Sequence, residues 1–255
     1  VFEPVKLDEE TIGNIKEQKP DLIIVASYGK ILPKILLEIP GFRCINVHAS
    51  LLPKFRGPSP VQNAILQGKQ ETGVTIMLMN EGIDTGDILN QVKVKIEKNE
   101  TAPELLEKLS RIGSEILINI IPLWFQLQIT PQKQNDEQAS LCQLIERSDG
   151  KIIWTDEAES IYNQYRAFQL WPGIFTFIEK DGYLRRIKLH KISRLENNLE
   201  SVHHIGEVLQ IGDKIGVQTG NGIVILEEVQ LEGKERMNID DFVIGYPEFI
   251  GNILK

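Results

Sequence analysis

Leu22-Ile23-Ile24-Val25-Ala26 is an apolar run without alternation, the pattern of a parallel strand covered on both faces. Such a strand needs helices to cover it, so this run limits the possible folds more than any bulk property. The flanking sequence supplies the helices. Asp8 can cap a short helix that ends near Lys19-Pro20, and a helical stretch from Leu32 to Glu38 stops before Pro40-Gly41. Cys44 to Ser50 reads as a second strand, Pro60 to Gln67 as a helix stopped by Gly68, and Val74–Met79 and Asp87–Ile96 as further strands. Thr101, Pro103 and Glu104 then open a long helix, with a capping Thr, an early Pro and an acid three residues on. Leu105, Leu109, Ile112 and Ile116 recur along it at helical spacing as far as the Pro122 region. Strands alternating with helices predict an α/β domain over residues 1–128, built on a partial doubly wound (Rossmann-like), mostly parallel sheet.

The register changes after Gln128. Residues 129–153 are polar and broken by Pro131 and Ser148-Asp149-Gly150, which predicts a linker. A helix over roughly 156–168 follows. Phe175–Glu179, Leu184–Ile192, Gly206–Ile211, Ile215–Thr219 and Ile223–Leu231 then read as short strands separated by turns, and Asn238 is placed to cap a last helix with Asp241 three residues later. This pattern predicts a small OB-like β-barrel over residues 154–255.

Composition narrows the function classes. With 42% hydrophobic and 25% charged residues the chain can build a core and is not a disordered one. No apolar run approaches the roughly 20 residues that span a bilayer. Cys44 and Cys142 stand too far apart in sequence for a zinc spacing and offer no disulfide framework, so a reducing cytoplasm is the expected setting. A net charge of −8 argues against a protein built mainly to coat phosphate, although a local basic face could still hold nucleic acid.

The chemistry concentrates in Cys44-Ile45-Asn46-Val47-His48-Ala49-Ser50-Leu51-Leu52-Pro53. Alternate residues of a strand share a face, so Asn46, His48 and Ser50 project together. His48 alone would read as a core histidine bonded to nearby backbone. Three polar residues on one face, near the carboxyl end where open α/β sheets place ligands, favour a site instead. Glu81-Gly82-Ile83-Asp84-Thr85-Gly86-Asp87 has ordinary turn composition. Its Asp-Thr-Gly also matches the aspartic-protease signature, but that chemistry needs two carboxylates sharing a proton and the chain carries one copy. There is no Gly-x-Gly-x-x-Gly, Walker loop or Gly-x-Ser-x-Gly, and His203-His204 lacks partners at ligand spacing.

Asn46 to Pro53, Arg56-Gly57-Pro58-Ser59-Pro60, Thr72-Gly73-Val74-Thr75-Ile76-Met77 and Ile83-Asp84-Thr85-Gly86-Asp87 together resemble the 10-formyltetrahydrofolate-dependent formyltransferases. Ala26-Ser27-Tyr28-Gly29-Lys30-Ile31-Leu32-Pro33, Trp171-Pro172-Gly173 and Gly233-Lys234 with Met237 resemble the branch of that family acting on initiator tRNA. The resemblance runs in order through nearly the whole chain. It implies transfer of a formyl group from 10-formyltetrahydrofolate, as co-substrate, to the amino group of methionyl initiator tRNA for translation initiation. It further implies a cytoplasmic enzyme, monomeric when complete, with no metal and no membrane partner. Asn46, His48 and Asp84 would correspond to the family's catalytic triplet. Ser50, Leu51, Leu52 and Pro53, with Tyr28, Gly29, Ile31 and Leu32, would contact folate, and the barrel domain would help hold tRNA. On the predicted strand Leu184–Ile192, Arg186, Lys188 and His190 alternate with Ile187 and Leu189, giving a basic face suited either to tRNA or to solvent.

Formyl transfer passes through a tetrahedral oxyanion, which the Asn46 amide and a donor form of His48 are suited to stabilise. Asp84 could orient His48, hold a water, or take the amine proton directly or through that water. Two other readings stand beside this one. The chain could be a sugar-nucleotide N-formyltransferase with the same triplet. It could also be an inactive folate- or RNA-binding remnant, because the family normally begins with a further strand–helix–strand unit not seen before Val1. Its absence would leave an exposed sheet edge near Leu22–Tyr28.

Overall fold

The expected alternation of strands and helices is present in the protein, whose computed structural model describes residues 1–180, 182–195 and 203–255. Helix α1 (Glu9–Glu17) begins at Asp8, whose carboxylate accepts from the Thr11 N–H at 3.0 Å. It is followed by β1 (Ile23–Ala26), α2 (Lys34–Leu37), β2 (Cys44–His48), α3 (Pro60–Leu66), β3 (Glu71–Leu78), β4 (Ile88–Lys95) and α4 (Ala102–Phe125). The strands lie in the order β1-β2-β3-β4.

The β1–α2–β2 unit is Rossmann-like, with β1 parallel to β2, whereas β2–β3 and β3–β4 are antiparallel. The parallel share is therefore smaller than the sequence pattern suggests. Residues 79–87 are too few for a crossover, which takes about a dozen residues or more, so β3 and β4 pair as neighbours running in opposite directions. Helix α4 closes on this sheet at Gly113, where an added Cβ would stand 2.9 Å from Val47 Cγ1. The helix continues through Pro122 to Phe125 rather than stopping at the proline. Strand β1 also departs from expectation. Ile23 and Val25 pack with Leu32, Leu36, Leu37 and Cys44, but Ile24 on the other face is 45% exposed.

The chain divides into two compact units: 1–64 with 69–100 and 104–144, and 65–68 with 101–103 and 145–255. Much of the expected linker thus belongs to the first unit. Gln132 bridges Ile88 in antiparallel fashion, the Arg56 N–H donates to Ser140 O at 2.8 Å, and the Cys142 N–H donates to Arg56 O at 2.8 Å. Backbone pairing rather than apolar burial holds this segment, so its polar composition gives no hint of it.

The second unit contains α5 (Ala158–Ala167), β5 (Ile174–Lys180), β6 (Tyr183–Leu195), β7 (Val208–Ile211), β8 (Lys214–Gln218), β9 (Ile223–Leu231), β10 (Met237–Asn238) and α6 (Ile239–Gly245). Its antiparallel sheet runs β5-β6-β9-β8-β7, with β10 added on β9. Residues 252–255 join the two ends of that order. The Val208 N–H donates to Asn252 O and the Leu254 N–H to Gly206 O, both at 2.9 Å, while Phe177 and Lys255 exchange backbone bonds of 3.0 and 2.9 Å. The sheet closes towards the expected barrel around Ile187, Leu189, Val217, Val224, Phe242 and Phe249. Asn238 occupies the N-cap position of α6, but its side chain makes no capping bond.

Candidate active site

Strand β2 places Asn46 and His48 on one face at its carboxyl end, with His48 buried. Asp84 comes from the β3–β4 connection. Asn80 Oδ1 shapes that loop by accepting from the Gly82 N–H at 3.0 Å and the Thr85 hydroxyl at 2.8 Å. Gly86 is required sterically, since a Cβ there would lie 1.7 Å from Leu78 O. Asp84 itself adopts φ +50°, a left-handed conformation that aspartate tolerates better than most residues.

The carboxylate of Asp84 ties the site together. Its Oδ1 accepts from Asn46 Nδ2 at 3.3 Å, and its Oδ2 accepts from the Gly57 N–H at 2.8 Å. Oδ2 also stands 3.6 Å from His48 Nδ1, and His48 Nε2 lies 2.9 Å from Phe55 O. Both ring nitrogens thus face oxygen acceptors. An imidazolium donates to both, whereas a neutral ring donates to one. The Asn46 amide carries two hydrogens, and its bond to Asp84 uses one.

The other residues singled out in the sequence divide. Ser50 does not share the strand face of Asn46 and His48. Strand β2 ends at His48, so the alternation stops before Ser50, whose buried hydroxyl donates to Lys54 O at 2.7 Å. The turn that follows is fixed from the sheet. Thr75 Oγ1 donates to Ser50 O at 2.6 Å and accepts from the Leu52 N–H at 3.2 Å, while Gln91 Nε2 donates to Leu52 O at 2.9 Å. Leu52 is buried and Leu51 and Pro53 are half-buried. Because β1 is parallel to β2, the Tyr28–Leu32 loop leaves the sheet at the same end as His48. The Tyr28 hydroxyl donates to Pro4 O at 2.8 Å, Gly29 is exposed, Ile31 is 67% exposed, and Leu32 is buried in the cluster beneath β1.

In the second unit, Arg186, Lys188 and His190 alternate along β6 with buried Ile187 and Leu189. Their charge is partly answered on the spot. Arg186 lies 3.8 Å from Glu232, and His190 Nε2 is 2.9 Å from Gln230 Oε1.

Sequence reasoning missed a layer behind Asp84. Gly57 has φ +112°, and a Cβ there would lie 2.4 Å from Cys142 O, so the amide that meets Asp84 requires glycine. Buried Arg56 donates to Gln134 Oε1 from Nε at 3.1 Å and from Nη2 at 2.8 Å, and from Nη2 to Asp136 at 2.8 Å. Gln134 Nε2 donates in turn to the backbone carbonyls of Asp84 at 2.8 Å and Gly86 at 2.7 Å. The Arg56-Gly57 pair was visible within a motif. Gln134 lies in a polar stretch without periodicity and carried no signal.

Burial pushes the Cys142 thiol up and the Cys44 thiol up to about 11, so neither is a thiolate nucleophile at neutral pH. Among the described residues no cluster of His, Cys, Asp and Glu is placed to hold a metal, and no helix is long and apolar enough to cross a membrane.

A Rossmann-like sheet followed by an antiparallel barrel is a two-part fold that known group-transfer proteins share. Residues 2–121 match the formyl transferase family and residues 144–247 the formyl transferase C-terminal domain. The chain belongs to the formyl transferase family. The methionyl-tRNA formyltransferase of Caldicellulosiruptor saccharolyticus is 43% identical over 258 residues, a match covering 100% of this chain and 81% of the relative. That of Citrifermentans bemidjiense is 39% identical, covering 100% of this chain and 78% of the relative. Among solved structures, HypX from Aquifex aeolicus in complex with tetrahydrofolic acid superposes with a TM-score of 0.69 at 17% identity, over 94% of this chain and 41% of that one. WlaRD, a sugar 3N-formyl transferase, gives 0.63 at 23% identity over 87% of this chain and 77% of that one. At these identities the two structures speak for the fold alone.

Proposed function

We propose that this formyl-transfer enzyme moves a formyl group from 10-formyltetrahydrofolate to the amino group of methionyl initiator tRNA, in the cytoplasm, with Asn46, His48 and Asp84 as its catalytic residues. One observation carries the assignment of residues: the Asp84 carboxylate meets the Asn46 amide and the Gly57 N–H and faces the His48 ring. The likeness to methionyl-tRNA formyltransferases, which runs through the whole of this chain, supports the choice of acceptor.

The donor set suits the chemistry. When bound, the folate co-substrate supplies the formyl carbon and a nitrogen leaving group. The second Asn46 N–H, and His48 Nε2 once the formyl oxygen replaces Phe55 O as its partner, meet the negative charge that grows on the formyl oxygen, in a largely buried setting where such contacts are strong. Asp84 holds the ring with Nδ1 towards itself and receives the amine proton, directly or across a water, and as the new C–N bond forms and the folate C–N bond breaks that proton passes to the departing nitrogen. The Tyr28–Leu32 loop and the 50–53 turn would hold folate through backbone groups and the exposed Ile31 side chain. Ser50, Leu52 and Leu32 turn their side chains inward. Arg186, Lys188 and His190 would meet tRNA phosphates.

Offering the protein labelled 10-formyltetrahydrofolate with methionyl initiator tRNA, and separately with an amino-sugar nucleotide, tests the reading. Label should appear on the methionyl amino group. Transfer to the sugar alone would make it a sugar-nucleotide N-formyltransferase. Folate binding without transfer to either would make it a remnant.

A further inference from the structure

We infer that Gln134, acting through Arg56 and the Asp84 loop, is a positioning residue for the Asp84–His48 pair. This rests on the reading that the pair serves formyl transfer. Besides Asn46 and His48, two things set the Asp84 carboxylate: its own backbone, in a left-handed conformation, and the Gly57 N–H that meets Oδ2. Gln134 reaches both. Its amide nitrogen donates to the carbonyls of Asp84 and Gly86, so the loop's two carbonyls converge on one donor group. Its amide oxygen takes two bonds from Arg56, the residue before Gly57 and after Phe55. Phe55 O is in turn the acceptor facing His48 Nε2. One side chain therefore ties the loop that presents the carboxylate to the turn that holds both the carboxylate and the imidazole.

The chemistry of the clasp is specific. A buried guanidinium needs acceptors, and Gln134 with Asp136 supplies them. Two backbone carbonyls need donors, and only the nitrogen end of an amide can meet both while the oxygen end meets arginine. Both ends of the Gln134 amide are engaged by Arg56 and by the Asp84 and Gly86 carbonyls. Its effect must therefore pass through Asp84 and His48, and a misplacement of about 1 Å there can cost about a hundredfold in rate.

The test measures kcat and both KM values for Gln134→Ala, Gln134→Glu, Asp84→Asn and the double variant Gln134→Ala with Asp84→Asn. Gln134→Ala should lower kcat by about 10- to 100-fold with little change in either KM. In the Asp84→Asn background the same change should cost less than about threefold, because the group being positioned has already lost its charge. Gln134→Glu keeps an acceptor for Arg56 and should fold even if Gln134→Ala does not. Its carboxylate cannot donate to the Asp84 and Gly86 carbonyls, so its kcat should fall as far. The imidazole ¹⁵N signals of His48 in the resting protein give a readout without turnover, and they should shift in Gln134→Glu. Parental kcat or parental His48 signals in Gln134→Glu would overturn the inference. So would a loss that multiplies fully onto Asp84→Asn. If Asp84→Asn itself keeps parental kcat, it is the catalytic reading of the triplet that fails.

Discussion

The two sheets of this protein differ in how their edges and their polar groups are met. In the first, β1 ends the strand order and turns Ile24 outward, while β4 at the other end meets Gln132 at Ile88. In the second, the strands at the two ends of the order, β5 and β7, both find backbone partners in residues 252–255. Buried polar side chains differ as well. In the first unit His48, Ser50, Arg56, Ser59 and Thr75 gather where β2 ends and the next turns begin. In the second, Thr176 serves the closure: it accepts from Trp154 Nε1 at 2.9 Å and donates to Lys255 O at 3.0 Å. Burying a polar group is costly unless it is bonded. At the end of β2 the first unit accepts that cost around a candidate site, and at Thr176 the second accepts it to complete a barrel.

The largest expected separation between the units is catalytic. Asp84→Asn should lower turnover by about 10²–10⁴, and His48→Ala by about 10²–10³, equivalent to roughly 3 to 4 kcal/mol of transition-state stabilisation. Folate affinity should fall less than turnover, because these contacts strengthen as charge develops. The double variant should lose much less than the product of the single losses. Steady-state kinetics checks all three, and near-parental turnover in His48→Ala would remove the assignment. On the barrel side, buried Leu254→Ala should destabilise the second unit by about 2–5 kcal/mol in urea unfolding. A loss well below that range would mean the tail merely lies against an already complete sheet.

A smaller effect is expected on β6. Replacing Arg186 and Lys188 together with alanine should weaken tRNA binding and flatten its salt dependence by about one to two logarithmic units of slope. An unchanged slope in a filter-binding titration would make this face solvated surface. Smallest of all, Ile24→Lys should move stability by no more than about 0.5 kcal/mol while suppressing self-association at the β1 edge. Sedimentation at several concentrations reads the association. A large drop in stability would show that Ile24 is covered, which would remove the contrast between the two sheets.

The sequence made some of this legible and hid the rest for physical reasons. Strand–helix alternation and the shared face of Asn46 and His48 follow from backbone periodicity, which local sequence displays. Ser50 was misplaced because periodicity does not announce where a strand stops. The apolar run at Leu22–Ala26 identified a strand but not its cover, since a second-face neighbour is supplied by other residues. Asp84 entered through the likeness of a motif, because nothing in the spacing between positions 46 and 84 reports that they meet. Residues 132–142 read as a linker because main-chain pairing, which has no composition, and polar side chains such as Gln134, which have no periodicity, are what hold them.

The clasp between Arg56 and Gln134 also sets an order of assembly. Gly57 and Asp84 close a loop of 27 residues, whereas Arg56 with Gln134 spans 78 and Phe55 with Ser140 spans 85. Closure entropy rises by about 0.6 kcal/mol for each doubling of length, so the shorter closure is favoured first and the longer ones follow. Synthesis runs in the same direction. A nascent chain that has released β1 to β4 can pair its sheet while the segment 134–142 is still in the ribosome. On this account the sheet precedes its own active geometry, and the ability to react arrives only when a stretch of polar chain beyond α4 folds back to meet Arg56.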